Sequence, residues 1–270
     1  MARRRLDSEL VDRGIVQDIE TARTVIAEKK VIVNGSSAVV PGTMVSRTEP
    51  ISISSEKRFA SRGGDKLDGA LQDLGLDVYG LSCLDAGAGS GGFTDVLLSR
   101  GASSVIAVDV GYGQFDWRLR NDPRVKLLER TNIRSIGEQQ TRCDIVVADL
   151  SFMSLATVSD HLFKLCRLYA VALIKPQFEA ADGEVPIGGV VIDPGVWREA
   201  LSRVASAFSD AGGAVDGVVA SRIKGAAGNQ EFFMKIAHLD ASDESNSLIP
   251  GGSARTIDLM IDSAIAKVKR

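Results

Sequence analysis

Cysteine and histidine are scarce in this chain of 270 residues, which has three of the first and two of the second. Cys83, Cys143 and Cys166 are odd in number, widely spaced and set in apolar runs. We therefore expect them to be reduced core residues of a cytoplasmic protein rather than a disulfide framework. His161 and His238 stand alone, so the sequence offers no metal site and no Ser/His/Asp triad.

Long apolar runs are also missing. The longest, residues 168–174, has seven residues, whereas a membrane-spanning helix needs about 20. No apolar signal segment follows the basic N-terminus. Hydrophobic content of 44% and charged content of 25% are ordinary for a soluble globular protein. We predict a cytoplasmic protein of one to two domains that does not act at a membrane.

Charge is distributed unevenly along the chain. Residues 1–66 have a net charge of +3, and residues 67–270 have a net charge of −6. A small basic N-terminal module joined to an acidic remainder is typical of proteins whose N-terminal region binds a polyanion.

Residues 1–58 are predicted to form a small α+β unit. Apolar residues recur at helical spacing in residues 6–11 and 22–26, and strands are expected at residues 31–33, 39–40 and 51–53. Asn34-Gly35 is a strong hairpin signal between the first two strands.

This unit resembles the RNA-binding domain first seen in the small-subunit ribosomal protein S-four. The resemblance rests on residues 5–7, 10–11, 14, 22, 25–26 and 31–35, and it departs at Lys29, where that family often has glycine, and at Asp18-Ile19, where it usually has Ser-Arg. The resemblance implies RNA binding, and the candidate phosphate contacts are Arg3, Arg4, Arg5, Lys29, Lys30 and Arg62.

Residues 59–66 are predicted to be a linker, and residues 67–270 alternate between apolar strands and amphipathic helices. Strands are expected near residues 82–86, 104–109, 125–128, 144–149, 169–174, 216–221 and 231–237. This pattern predicts a Rossmann-like, seven-stranded α/β sheet covered on both faces, with the last strand antiparallel.

The most informative motif is a glycine-rich turn after the first of these strands. Gly87, Gly89 and Gly92 match the G-x-G-x-x-G fingerprint of nucleotide-binding turns. The same glycine spacing also occurs in tight strand-to-helix turns that bind no ligand. Asp85 would repel a pyrophosphate, which argues against NAD, but would suit the ammonium of S-adenosylmethionine.

A second acid supports an adenosine ligand. Asp109 closes the next apolar run 22 positions after Gly87, where an acid commonly holds a ribose diol. The predicted cofactor residues are Asp85, Gly87, Gly89, Ser90, Gly91, Gly92, Phe93, Thr94, Asp109, Val110, Gln114, Ile133 and Asp149.

Charged residues also adjoin three later strands. Asp149 and Lys175 each follow four apolar residues, and Glu231 opens the last strand. Each marks either a site or the point where a strand meets water, but the carboxyl edge of a parallel sheet would bring such residues together.

At these positions the chain resembles the TlyA family of ribosomal RNA cytidine 2′-O-methyltransferases, within the wider FtsJ-like group. The resemblance covers nearly the whole chain and is carried by residues 61–67, 85–94, 109–114, 120–125, 129–132, 148–152, 175–179 and 228–232. It implies a catalytic tetrad of Lys66, Asp149, Lys175 and Glu231. Asp65 departs from the pattern, because relatives commonly have histidine there.

The resemblance implies transfer of a methyl group from S-adenosylmethionine to a ribose 2′-hydroxyl of ribosomal RNA within ribosomal subunits. A lysine can remove the hydroxyl proton, so Lys175 is the candidate base or principal positioning group. Three alternatives remain open: an RNA-binding protein with an inactive cofactor fold, a membrane-active haemolysin, and an NAD oxidoreductase. The sequence leaves open which nucleotide is methylated and the oligomeric state.

Overall fold

The computed structural model describes residues 3–53, 58–137, 141–181, 183–238 and 254–268. The chain divides into two compact units, Met1–Arg58 and Phe59–Arg270. The predicted linker over residues 59–66 is wrong in its second half, because a helix of the second unit begins at Arg62. Ser61 caps this helix by accepting a hydrogen bond from the Gly63 amide, and Phe59 is already buried.

The first unit packs two helices against short strands. Its elements are β1 (Arg4–Arg5), α1 (Leu6–Asp12), α2 (Ile19–Ala27), β2 (Val31–Val33), β3 (Ser36–Ala38), β4 (Met44–Val45) and β5 (Ile51–Ile53). Strand β2 pairs antiparallel with both β3 and β5. Leu6, Leu10, Ala22 and Ile26 form the core with apolar strand residues, as their helical spacing predicts.

One predicted strand of this unit is wrong. Residues 39–40 lie outside any strand, and both valines are exposed. The two-residue turn at Asn34-Gly35 sets Val33 opposite Ser36, so the hairpin uses residues 36–38 instead. Turn length decides register here, and it overrides the β propensity of two valines.

The second unit alternates strands and helices. Its elements are α3 (Arg62–Asp73), β6 (Ser82–Ala86), α4 (Gly92–Ser99), β7 (Ser104–Val108), α5 (Trp117–Arg120), β8 (Val125–Leu128), β9 (Cys143–Ala148), α6 (Ser159–Lys164), β10 (Cys166–Ile174), α7 (Pro176–Glu179), α8 (Pro194–Asp210), β11 (Gly213–Ala220), β12 (Phe232–His238) and α9 (Ala254–Val268). Short 3-10 helices cover Ile133–Ser135 and Leu155–Thr157.

These strands form a seven-stranded sheet in the order β11-β12-β10-β9-β6-β7-β8. Strands β6 to β10 are parallel, and β12 is antiparallel to both of its neighbours. The predicted fold class is thereby confirmed. The order reverses between β6 and β9, and such a switch point opens a crevice at the carboxyl ends of the strands.

Each face of the sheet carries its own apolar core. Ile145 and Val147 of β9 pack with α3 and α4 on one face, while Val146 and Ala148 pack with α8 and α9 on the other. Successive strand residues point to opposite faces, so burial on both faces requires the uninterrupted apolar run seen in the sequence.

The helix predicted over residues 154–166 is wrong in its bounds. It splits into the 3-10 turn and α6, and β10 already begins at Cys166. The alternation of polar and apolar residues here does not separate a short helix from the start of a long strand. None of the helices in the described ranges has both the length and the apolar character needed to cross a bilayer.

Candidate active site

A cavity of about 460 Å³ opens at the switch point of the sheet. It is bounded by the loops that follow β6, β7 and β9, together with the segment after β8. Its lining residues are Gly87, Gly89, Val108, Asp109, Val110, Gly111, Gln114, Thr131, Asn132, Ile133, Asp149, Leu150, Ser151, Phe152 and Met153. Of the predicted cofactor residues, Gly87, Gly89, Asp109, Val110, Gln114, Ile133 and Asp149 are in this set.

Two glycines of the turn are required for different reasons. Gly87 has a φ of +85°, and a Cβ there would lie 2.4 Å from the backbone oxygen of Asp149. Gly89 has a φ of +54°, and a Cβ there would meet no protein atom within 4 Å. Gly87 therefore lets the turn approach the β9 loop, whereas Gly89 borders open cavity where a ligand could pass.

Asp109 joins the turn to the loop after β7. Its Oδ2 accepts a hydrogen bond of 2.7 Å from the Gly89 amide, and its Oδ1 accepts one of 2.6 Å from the Gly111 amide. Oδ1 also accepts a longer hydrogen bond of 3.5 Å from the Gln114 amide. Oδ2 keeps a second lone pair, so Asp109 can still accept from a ligand hydroxyl in the cavity.

Asp85 lies behind the turn and does not line the cavity. It is fully buried, and its Oδ2 accepts hydrogen bonds from the amide (2.9 Å) and hydroxyl (2.7 Å) of Thr94. Burial raises the pKa of Asp85 to about 7, an effect opposed by the Thr94 hydrogen bonds. The sequence placed this acid opposite a ligand ammonium, but the fold uses it to tie β6 to the first turn of α4.

The remaining predicted turn residues support the cavity from outside its lining. Gly91 has a φ of +93° and lies against Leu119 and Phe115, while Gly92 lies against Ser61. Phe93 and Thr94 are buried in α4, and the Ser90 carbonyl accepts a hydrogen bond from the Asp116 amide. These residues fix the conformation of the turn.

The strand ends bring Lys175 and Asp149 together. Nζ of Lys175 lies 2.6 Å from Oδ1 of Asp149 and donates a 2.9 Å hydrogen bond to the hydroxyl of Ser151. Lys175 is largely buried, whereas Asp149 and Ser151 border the cavity. The pair forms because β9 and β10 are parallel neighbours, so both residues emerge at the same edge.

Lys66 and Glu231 form a second pair. Nζ of Lys66 in α3 donates a 2.6 Å hydrogen bond to Oε2 of Glu231, and both side chains are largely buried. Gly225 makes room for this carboxylate, because a Cβ there would lie 2.5 Å from Oε1 of Glu231.

Strand register relates the two pairs. Ile174 of β10 pairs with Phe232 of β12, so Lys175 and Glu231 are the next residues on adjacent strands. Asp149, Lys175 and Glu231 thus lie at one edge of the sheet, and Lys66 reaches Glu231 there from α3. Asp149 also lines the cavity. Among the described residues, no cluster of histidine, cysteine, aspartate and glutamate side chains could hold a metal ion.

Asp149 is the residue with a predicted role in the loop after β9, which we call the β9 loop (residues 149–154); the sequence assigned no role to the rest of this loop. Its Phe152 is 93% exposed, has a φ of +64° and lies against Phe178, with ring centroids 5.7 Å apart. Buried Glu179 accepts hydrogen bonds of 2.6 Å from the Ser154 hydroxyl and the Leu155 amide. The sequence motifs at residues 148–152 and 175–179 marked both segments as parts of the site. Residue types alone, however, do not show that the two segments contact each other.

The candidate RNA contacts mostly have acidic neighbours within their own unit. Arg3, Arg4 and Arg5 pair with Glu49, Asp12 and Asp7, and Lys30 pairs with Glu28. Lys29 is exposed and has a φ of +58° at the end of α2, which is the position where glycine is usual. In the second unit, Arg62 donates to the backbone oxygen of Lys224.

A family model described as FtsJ-like methyltransferase matches residues 59–237. The chain belongs to the FtsJ-like methyltransferase family. The matched residues contain the cavity, both lysine–carboxylate pairs and the β9 loop.

The chain is similar over most of its length to two relatives. It is 48% identical to the 16S/23S rRNA (cytidine-2'-O)-methyltransferase TlyA of Mycobacterium tuberculosis, over 87% of this chain and 90% of that one. It is 36% identical to Hemolysin A of Brachyspira hyodysenteriae, over 84% and 97%. A solved structure from Streptococcus thermophilus, described as a candidate hemolysin, aligns with a TM-score of 0.70 at 32% identity, covering 100% of this chain and 98% of that one.

Proposed function

We propose that this FtsJ-like methyltransferase transfers a methyl group from S-adenosylmethionine to the ribose 2′-hydroxyl of cytidine in ribosomal RNA. The observation that carries the proposal is the pairing of Lys175 with Asp149, and of Lys66 with Glu231, at the sheet edge that borders the cavity. The relative from Mycobacterium tuberculosis is named for this reaction.

The cavity fits the methyl donor. Gly89 leaves open space for a ligand, Asp109 offers carboxylate oxygens to a ribose diol, and Val110 and Ile133 offer apolar surface to an adenine. Gln114 and Asp149 complete the polar lining. When bound, S-adenosylmethionine supplies a methyl group on a positively charged sulfur, which keeps the electron pair of the broken S–C bond.

The protein's own task is to prepare the ribose oxygen. A neutral Lys175 amine can take the proton of the 2′-hydroxyl, which leaves the electron pair of the O–H bond on oxygen for attack on the methyl carbon. Asp149 balances the ammonium that this transfer creates. Proton removal of this kind contributes about 10²–10⁴-fold to a rate.

Lys66 and Glu231 are proposed to orient the nucleotide rather than to exchange protons. Their 2.6 Å hydrogen bond ties α3 to the start of β12 and fixes a cation and an anion next to Lys175 along the sheet edge. Fixed charges at such positions hold a substrate oxygen in line with its reaction partner, and correct alignment accounts for a large share of rate enhancement.

RNA is proposed to be recognised by both units. The first unit, with Arg3, Arg4, Arg5, Lys29 and Lys30, would contact backbone phosphates, and Arg62 would add one contact from the second unit. At the cavity mouth, the exposed ring of Phe152 offers a face on which an unstacked base can lie. The proposed substrate is rRNA within a ribosomal subunit in the cytoplasm.

The test combines methyl transfer with nucleoside analysis. Purified wild-type protein, S-adenosylmethionine and separate ribosomal subunits from cells lacking this gene should yield 2′-O-methylcytidine, detected by mass spectrometry of digested rRNA. Lys175→Ala should lower the rate by about 10²-fold or more while binding of S-adenosylmethionine, measured by calorimetry, persists. Lys164→Ala, which removes an exposed lysine of α6, is the matched control and should retain activity.

Wild-type protein that binds rRNA and S-adenosylmethionine but yields no methylated nucleoside would favour the inactive binding module. A methylated base in place of the ribose would contradict the proposed position of attack.

A further inference from the structure

The β9 loop is held at both ends. At its start, the Asp149 amide donates to the Ala86 backbone oxygen at 2.9 Å, which fixes the loop to β6. At its other end, Glu179 binds the Ser154 hydroxyl and the Leu155 amide. Burial raises the pKa of Glu179, while the hydrogen bonds from Ser154 and Leu155 oppose that rise. The two anchors leave the residues between them little conformational freedom.

Between the anchors the backbone is strained. Phe152 has a φ of +64°, a left-handed conformation that an aromatic residue rarely adopts. Strain of this kind persists where the surrounding structure holds it, and it is common at functional sites. The residue before it, Ser151, borders the cavity and directs its hydroxyl to Lys175.

The geometry at the Lys175 amine gives Ser151 a specific task. A tetrahedral Nζ has three positions besides its bond to Cε, and Asp149 and Ser151 occupy two of them at 2.6 and 2.9 Å. The third position carries the lone pair when the amine is neutral. Two fixed partners therefore determine where that lone pair points.

We propose that Ser151 is a positioning residue that, with Asp149, aims the lone pair of Lys175 at the ribose 2′-hydroxyl. This inference rests on the proposed function. In the step, the 2′-O–H bond breaks, its proton forms a new N–H bond on Lys175, and its electron pair remains on oxygen. Ser151 keeps its own proton throughout and acts only through the hydrogen bond that it accepts.

The prediction separates positioning from binding. Ser151→Ala should lower kcat for rRNA methylation by roughly tenfold, because a misdirected base loses part of its alignment. The thermal midpoint should stay within about one degree of wild type, since Ser151 is exposed and lies outside the apolar cores. The Kd for S-adenosylmethionine should stay within about twofold, because the proposed contacts to the donor come from other lining residues, such as Gly89 and Asp109.

Two further variants sharpen the experiment. Ser151→Thr keeps the hydroxyl and should recover most of kcat. Ser99→Ala removes a serine hydroxyl that donates to a carbonyl in α4, away from the cavity, and should match wild type in every measurement. An unchanged kcat in Ser151→Ala, an equal loss of cofactor affinity and kcat, or no recovery with threonine would each overturn the proposal.

A second readout needs no methyl transfer. An acylating reagent for amines, followed by peptide mass spectrometry, reports how fast Lys175 reacts in the full-length protein. Losing the Ser151 hydrogen bond should free the amine and raise its labelling rate relative to wild type and Ser99→Ala, and an unchanged rate would overturn the proposal. Failure of the proposed function would appear separately, as a wild-type protein that does not methylate rRNA.

Discussion

Lys66 and Glu231 are 165 positions apart in the chain, yet Nζ of one lies 2.6 Å from Oε2 of the other. The pair joins the second turn of α3 to the residue before β12, and neither side chain is more than 11% exposed. A buried ion pair contributes little net stability over an apolar pair of the same size, but removing only one partner is costly. Its presence next to Lys175, at the carboxyl edge of the parallel strands, is therefore better explained by function than by stability.

Removing one charge of this pair should destabilise the second unit. In Glu231→Gln the Lys66 ammonium stays in place without its counter-charge, and we expect the free energy of unfolding to fall by about 3 kcal/mol. Urea denaturation followed by circular dichroism measures the change. Glu199→Gln, at an exposed position of α8, is the control and should change stability by less than about 0.5 kcal/mol.

The double variant Lys66→Gln/Glu231→Gln separates stability from activity. It removes both charges, so it should recover part of the lost stability while remaining inactive in methyl transfer. Recovery of activity together with stability would show that the pair serves only the fold.

Two alanine substitutions in the glycine turn should have different consequences. Gly87→Ala places a methyl group against the Asp149 backbone oxygen. It should lower the melting temperature, since Gly87 and Asp149 directly follow β6 and β9, which are paired at the centre of the sheet and cannot move apart. Gly89→Ala meets no protein atom and should cost about 1 kcal/mol from its positive φ, but its methyl group projects where a ligand would lie.

Calorimetric titration with S-adenosylmethionine and thermal unfolding distinguish the two effects. Gly89→Ala should lose cofactor affinity while keeping most of its stability. Unimpaired binding in Gly89→Ala would contradict the placement of the donor beside this glycine.

Asp85 should make stability depend on pH. Its pKa is raised from 3.8 to about 7 in the folded protein, mainly by burial. Between these values the folded protein keeps a proton that the unfolded chain has released, so the contribution of Asp85 to stability is present below about pH 4 and is lost as pH rises through 7. The expected loss is on the order of 1 kcal/mol per pH unit.

Comparing wild type with Asp85→Asn isolates this effect. Asparagine keeps an acceptor oxygen for Thr94 but does not titrate, so urea denaturation from pH 4.5 to 7.5 should show a flatter decline. Exposed Asp210→Asn should keep the wild-type slope. Parallel curves for wild type and Asp85→Asn would show that Asp85 does not hold its proton in the fold.

Lys29 offers a stability test in the first unit. Its φ of +58° at the end of α2 suits glycine, and Lys29→Gly should stabilise this unit by about 0.5–1 kcal/mol. Lys29→Ala removes the same charge without relieving the backbone and is the matched control. Hydrogen exchange of the α2 amides in the full chain reports the local stability.

The same two variants test RNA contact. If Lys29 binds a phosphate, both substitutions should weaken rRNA binding equally and reduce its salt dependence. Weaker rRNA binding in only one of the two variants would show that the backbone conformation at residue 29, rather than the lysine charge, affects rRNA binding.

Local sequence signals predicted much of the fold because they reflect local physics. Continuous apolar strands and intervening helices defined the doubly covered parallel sheet, and Asn34-Gly35 placed the first hairpin. The predicted bounds of helices and strands are wrong at Val39, at Arg62 and between Ser154 and Cys166, where two neighbouring segments could each have formed the element. There, turn length, capping and strand pairing decided the outcome, and none of these is visible in residue type alone.

The sequence by itself determined which chemical groups this protein has: a glycine turn, acids after two strands, and two lysines with two carboxylates. Tertiary structure alone decided their partners. It buried Asp85 against Thr94, paired Lys175 with Asp149 and Ser151, and brought Lys66 from a helix to Glu231 on a distant strand. The physical reason is that hydrogen bonds, between charged groups as between neutral ones, form only at about 3 Å, and only the packing of α3 and the strand order of the sheet bring such distant positions within that range.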